Sequence, residues 1–143
     1  MNKVLPPPAG ATRTVLLFRN VVANTLSTAS TRLVVSNTSL STVPASGAQN
    51  GTITFEFYFG GALITTFVSP VVIGGSSYSI DIITIPALMG LPFNGYCIAV
   101  CNFQYGHGIS QSIDSTVSTT AITPAIIIPD TVNRNTQGES LLM

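Results

Sequence analysis

Residues 52–59 read Thr-Ile-Thr-Phe-Glu-Phe-Tyr-Phe, and this stretch decides the fold class. Apolar and more polar side chains alternate along it without a break. A period of two puts successive side chains on opposite faces of an extended strand. The pattern therefore predicts a strand with one face in a core and the other toward solvent. The core-facing set is Ile53, Phe55, Phe57 and Phe59.

Similar short segments, rich in β-branched and aromatic residues, recur on both sides of this strand. Clusters of Gly, Pro, Ser and Asn separate them, as is typical of tight turns and loops. No segment has a helical period with caps, and only a short turn is expected near Pro86–Met89. The further strands are predicted at Thr14–Val22, Arg32–Asn37, Leu63–Val68, Ser77–Thr84, Gly95–Phe103, Ile109–Ser115 and Ala121–Ile128.

This spacing predicts an all-β fold, an antiparallel β-sandwich (Ig-like or jelly-roll-like) of about seven or eight strands, with a closed barrel as the alternative. The length of 143 residues fits one domain. We expect a Pro-rich N-terminal extension over residues 1–12, the β-sandwich domain over residues 13–130 and a polar C-terminal tail over residues 131–143.

Charged residues make up only 7% of the chain, against roughly 25% in an average soluble domain. The five basic residues are scattered and balance five acidic ones, so no basic stripe for nucleic acid is expected. A surface without net charge has little self-repulsion, which favours association. No apolar run reaches the ~18 residues of a membrane span, and residues 1–10 show no apolar core of a secretory signal.

The two cysteines, Cys97 and Cys101, lie four residues apart in a predicted strand. They share a face at a distance of ~13 Å, which is too far for a disulfide between them. One interpretation is a pair of buried thiols, and the alternative is a link to another chain. With His107 they give three metal-ligand types, but a structural zinc site needs four, so no metal is expected.

No enzymatic activity or cofactor is expected. His107, Ser110 and either Asp81 or Asp114 supply the residue types of a triad, but no G-x-S-x-G elbow accompanies them. The acidic residues are expected to be solvated or paired across the sheet with Arg13, Arg19 or Arg32, and no phosphate-binding loop is present. Glycines on both sides of His107 predict an unusual local backbone there. Two N-x-[ST] patterns, at Asn37 and Asn50, match a glycosylation acceptor.

Residues 93–108 read FNGYCIAVCNFQYGHG. This run resembles the F-x-GY-x-IA-x-CNFQYAHG signature of an uncharacterised family of bacterial secreted β domains. Weaker likeness extends to residues 34–39, 50–52 and 126–130. The resemblance implies an extracellular β domain with no assigned enzymatic activity. It also implies a family cysteine near the position of Ile53, paired with Cys101, whereas this sequence has isoleucine there and has Cys97 in addition.

These features favour a self-assembling structural subunit of an extracellular filament or surface layer, whose partner is a second copy of the chain. The alternatives are a virion shell protein and a carbohydrate-binding module that stacks a glycan on tyrosines. The rings available for stacking are Tyr58, Tyr78, Tyr96 and Tyr105. Terminal segments that could complete a neighbour's sheet are the predicted assembly residues Val4, Leu5 and Pro6, and Ile126, Ile127 and Ile128.

Overall fold

The computed structural model describes residues 13–23, 29–40, 48–88, 92–114 and 120–129, and most of them are in antiparallel strands. The all-β prediction is confirmed. Within these ranges, three single-turn 3₁₀ helices occupy Thr38–Leu40, Ile82–Thr84 and Pro86–Leu88. The predicted extension and tail lie outside the described residues. The described residues form nine strands: β1 (Thr14–Ala23), β2 (Ala29–Asn37), β3 (Ile53–Phe59), β4 (Ala62–Val68), β5 (Ser77–Asp81), β6 (Phe93–Cys101), β7 (Gly106–Asp114), β8 (Thr120–Pro124) and β9 (Ile126–Ile128).

The strands form one hydrogen-bonded path in the order β4-β3-β6-β1-β2-β7-β8, with β5 beside β2 and β9 beside β1. The β1–β2 step is a corner, because Ala23 and Ser30 are the only described residues paired there, whereas β1–β6 and β2–β7 are long ladders. β7 also packs against β1; no ladder joins their described residues, but Gly106 N donates to the Thr14 hydroxyl (2.9 Å). Since the path is continuous, the nine strands are one sheet, and a division into two packed sheets stays a prediction.

Most predicted strands have ends shifted by one to three residues, and two differ more substantially from the sequence prediction. The strand predicted over Ser77–Thr84 stops at Asp81, because Thr84 Oγ1 donates to the Asp81 carbonyl (2.7 Å) and Ile85 N donates to the Ile82 carbonyl (3.0 Å), which closes a 3₁₀ turn. The strand predicted over Ala121–Ile128 is two strands. It pairs with β7 as far as Pro124, which has no N–H to donate; Ala125 N still donates to the Gly108 carbonyl (2.8 Å), and the chain pairs with β1 from Ile126 onward.

Large side chains surround a row of small ones in the core. On β6, the inward residues Cys97, Ala99 and Cys101 are all fully buried, and Phe93 at the start of the strand is the large inward residue. On β3, Phe57 lies opposite Cys97 and Phe55 lies opposite Ala99, so each bulky ring extends over a small neighbour. Such alternation of large and small side chains fills a core without voids. The cysteines act here as small apolar residues.

The alternation predicted for residues 52–59 is confirmed at three of its four apolar positions. Ile53, Phe55 and Phe57 are fully buried, but Phe59 is 44% exposed. Phe59 is the last residue of β3 and precedes the Gly60–Gly61 turn, so it lies at the margin of the core. Its ring still lies 5.8 Å from that of Phe93, centroid to centroid.

A β-bulge interrupts β1. Phe18 lies opposite Cys97 and Val21 lies opposite Gly95, so Arg19 and Asn20 together face the single residue between them on β6. Asn20 has φ of 56°, a left-handed conformation that Asn tolerates better than most residues. Both side chains are consequently exposed, while Phe18 and Val21 stay in the core. The bulge keeps the apolar side chains inside on both sides of it.

Asn37 is a buried polar centre that ties three loops together. Its Nδ2 donates to the carbonyls of Gln49 (2.7 Å) and Val72 (3.0 Å), and its Oδ1 accepts from the backbone N (3.1 Å) and the hydroxyl (2.7 Å) of Ser39. The Ser39 hydroxyl in turn accepts from Gln49 N (2.8 Å). All four hydrogen-bonding positions of the amide are used, as expected for a buried asparagine.

Replacing Asn37 should therefore be costly. We expect Asn37→Ala to lower the free energy of unfolding by about 2 to 3 kcal/mol, because the Gln49 and Val72 carbonyls lose a donor while staying buried. The matched control is Ser36→Ala, on the same strand, which removes one exposed hydroxyl contact to Ser77 and should change stability by less than about 0.5 kcal/mol. Urea denaturation measures both. Equal effects of the two changes on the free energy of unfolding would contradict the role of Asn37 as a buried polar centre.

Candidate functional site

The two thiols are fully buried on the inner face of β6 and are not in a disulfide. Burial raises the pKa of Cys101 to about 12 and raises that of Cys97 well above its ordinary value. A thiol is nucleophilic only as the thiolate, so neither is set up to react. An intermolecular link through either cysteine would require the core to open. The interpretation as buried thiols is the one that the geometry supports.

His107 does not combine with the other residues that were considered for chemistry. It is exposed on β7, whereas Cys97 and Cys101 are in the core. Ser110 is buried and lies three residues further along the same strand, an odd separation that turns its side chain to the opposite face. Within the described ranges, no group of three His, Cys, Asp or Glu side chains converges on a point that could hold a metal ion.

The unusual backbone conformation predicted around His107 occurs two residues before it, at Tyr105. Tyr105 has φ of 62°, while Gly106 and Gly108 do not have positive φ. The glycines are needed for space instead: a Cβ on Gly108 would lie 2.7 Å from the Phe18 ring, and one on Gly106 would lie 3.1 Å from the Phe103 ring. β7 can therefore pack on β1 only because it lacks side chains at these two positions.

One of the expected arginine–carboxylate pairs is present. Arg32 and Asp81 are directly opposite on β2 and β5, with Nε 2.6 Å and Nη2 3.3 Å from the two carboxylate oxygens. The hydrogen bonds and the charge of Asp81 raise the pKa of Arg32. Both side chains are partly exposed, so this pair aligns two strands and adds little stability. Its role is structural.

The two N-x-[ST] patterns have different surroundings. Asn37 is buried with its amide nitrogen engaged in two hydrogen bonds, so the folded protein does not present it to an enzyme. Asn50 is exposed, and its Oδ1 accepts a hydrogen bond from Gly74 N (2.9 Å). Only the second pattern lies on the surface.

The four tyrosines have different roles. Tyr78 is half-buried and packs against Phe55 (6.3 Å between ring centroids), so it belongs to the core edge. Tyr58 and Tyr96 are direct cross-strand neighbours on the outer face of β3 and β6, meaning the face turned away from the core. Their rings are stacked at 5.0 Å with 12° between planes. Tyr105 is exposed at the start of β7, away from this pair.

A concave surface adjoins this tyrosine pair. It is a shallow, open depression of about 440 Å³ on the outer face of β1 and β6. Burial and a hydrogen bond to Glu56 (3.1 Å) raise the pKa of Tyr58, which lies on the far side of Tyr96 from the concavity. The lining residues are Leu17, Arg19, Asn20, Gly95, Tyr96 and Ile98. Arg19 and Asn20 were not predicted as site residues, because nothing in their sequence context marks the bulge.

Besides the buried thiols and the concavity, the outer edge strands of the sheet are a candidate functional feature. Among the described residues, β4 pairs only with β3 at one end of the path, and β8 pairs only with β7 at the other. β4 has no charged residue and no proline, and Leu63 (51% exposed), Ile64 (38%) and Val68 (56%) are on its surface. Of the predicted assembly residues, Val4, Leu5 and Pro6 lie outside the described residues. Ile126, Ile127 and Ile128 form β9, paired with β1 of the same chain.

No protein-family model, no curated protein and no solved structure matches this chain. Among the residues that the structure describes, no helix has the length and apolar character needed to cross a bilayer. The resemblance of residues 93–108 to a secreted family therefore remains a prediction. The structure adds one relevant position: Ile53 lies directly opposite Cys101 in the β3–β6 ladder.

That register predicts that Ile53→Cys forms a disulfide with Cys101 under oxidising conditions. Directly opposite residues in an antiparallel ladder have Cα atoms about 4.5 to 5.5 Å apart, which is within the disulfide range. Thiol titration of the oxidised, denatured variant should find one thiol per chain, that of Cys97. Phe55→Cys, opposite Ala99, is the control and should keep every thiol. Cross-linking in the control, or none at Ile53→Cys, would show that the register is wrong.

Proposed function

We propose that this protein is a non-enzymatic structural subunit that polymerises through its sheet edges. In this proposal β4 of one copy pairs with β8 of the next. The observation that carries it is the β4 edge: seven residues, uncharged, with backbone hydrogen-bonding groups that no other described strand pairs with, and with exposed apolar side chains. Natural monomers usually protect such an edge with lysine, proline or a covering segment, since it otherwise recruits another strand.

Comparison with the other edges supports the choice of β4. β5 is shorter and ends in Asp81, which is engaged with Arg32. β8 ends in Pro124, which shortens the stretch that can donate hydrogen bonds, but it exposes Ile122 (58%). β4 and β8 are the two ends of the same path, so joining them continues the sheet from one copy into the next.

The contact between two different edges is heterologous, and this determines the type of assembly. Such a contact produces open polymers, or rings where the rotation closes, rather than isolated dimers. A formal net charge of zero imposes no long-range repulsion between copies. We extend the proposal to an extracellular filament or surface layer, on the basis of the family resemblance. A virion shell is the less favoured alternative.

Substituting a lysine into each of the two edge strands tests the proposed β4–β8 contact. We expect the native chain to form polymers of uniform width, and Leu63→Lys on β4 or Ile122→Lys on β8 to prevent growth, because each places a charge on one contact surface. An equimolar mixture of the two variants should form heterodimers and nothing longer, since only one intact interface remains. Light scattering with negative-stain imaging measures this.

Leu40→Lys is the matched control: Leu40 is 58% exposed and lies off the edges, so this variant should polymerise like the native chain. Normal growth of Ile122→Lys would exclude β8 as the partner edge, whereas dimers of this variant would indicate a β4–β4 contact instead. A native chain that stays monomeric at all concentrations would overturn the assembly proposal, and closed particles would favour the shell alternative.

A further inference from the structure

We propose that the concavity beside Tyr96 binds a sugar ring that carries a carboxylate, as in a hexuronate. This site lies on the outer face of β1 and β6, whereas the proposed assembly contact uses β4 and β8, so the inference does not depend on polymerisation. The argument rests on how the bulge in β1 and the tyrosine pair are placed relative to each other.

Tyr96 provides the stacking surface. Strand order places β6 between β3 and β1, so Tyr96 has Tyr58 stacked on its β3 side and the concavity on its β1 side. The stacking holds the ring and leaves its other face toward the open volume. Leu17 and Ile98 line the same volume and add apolar surface. An apolar wall with few polar groups is typical of small-ligand sites, and the C–H face of a pyranose fits an aromatic ring.

The bulge supplies the polar groups. In a regular strand, one of Arg19 and Asn20 would turn toward the core, but here both are exposed and both line the concavity. Together they offer a guanidinium, with its fork of N–H donors, and an amide that both donates and accepts. Hydroxyl groups of a sugar need such mixed partners at the rim of an apolar surface.

The positive charge of Arg19 favours an acidic sugar over a neutral one. Arg19 makes no salt bridge with any residue in the described part of the chain, and it is the one charged side chain that lines the concavity. The nearby carboxylate of Glu56 is on the opposite side of the tyrosine pair, where the Tyr58 hydroxyl donates to it. A guanidinium that no described side chain pairs with favours a carboxylate, which it binds bidentately.

Isothermal titration of the native chain with a trimer of galacturonate and with the corresponding neutral galactose trimer tests this. We expect the acidic trimer to bind at least about tenfold more tightly at low salt. Arg19→Gln should abolish that preference and leave weak, equal binding of both sugars. Tyr96→Ala should abolish binding of both, and Tyr105→Ala, which removes an exposed tyrosine elsewhere, should bind like the native chain.

Circular dichroism confirms the fold of each variant, and Arg19→Gln tests the site independently should Tyr96→Ala prove unstable. Equal affinity of the native chain for both sugars, no binding of either, or unchanged binding by Arg19→Gln would each overturn the proposal.

Discussion

The packing of bulky side chains around the small inward face of β6 is the interaction on which the rest of the structure depends. β6 is hydrogen-bonded to β3 on one side and β1 on the other, and its Cys97 and Ala99 lie between Phe55 and Phe57 of β3 and Phe18 of β1. Larger residues on β6 would force the rings out of their positions, at a typical cost of about 1 to 3 kcal/mol each. The cysteines are therefore explained by volume rather than by redox or metal chemistry.

That core also determines what the surface can present. Phe18 and Val21 both point inward although two residues separate them, so β1 has one residue more than β6 between these two pairs. The extra residue is accommodated as a bulge, and Arg19 and Asn20 are both directed outward. The long, uncharged β4 is likewise fixed by its pairing with β3, which leaves its other edge open in the described part of the chain. Both candidate surfaces, the concavity beside Tyr96 and the β4 edge, therefore follow from how the strands pair around this core.

Local periodicity predicted the strands because alternation along residues 52–59 is a property of neighbouring residues. It did not predict which strands are adjacent, and so it missed that β4 is an open edge and that Ile126–Ile128 pairs within its own chain. Asn37 looked like a surface sequon, whereas long-range contacts with Gln49 and Val72 make it a buried polar centre. The bulge at Arg19 and Asn20 depends on the register with β6, which is also a long-range property.

Hydrogen exchange along β4 as a function of protein concentration tests the assembly account most directly. An open edge strand has amides that exchange with solvent, and these amides become protected when another strand pairs with them. The account predicts that the outward-facing amides within residues 62–68 and 120–123 gain protection together as polymers form, while the turn at Gly60–Gly61 stays unchanged. Polymers that form with no change in exchange along β4 would contradict it.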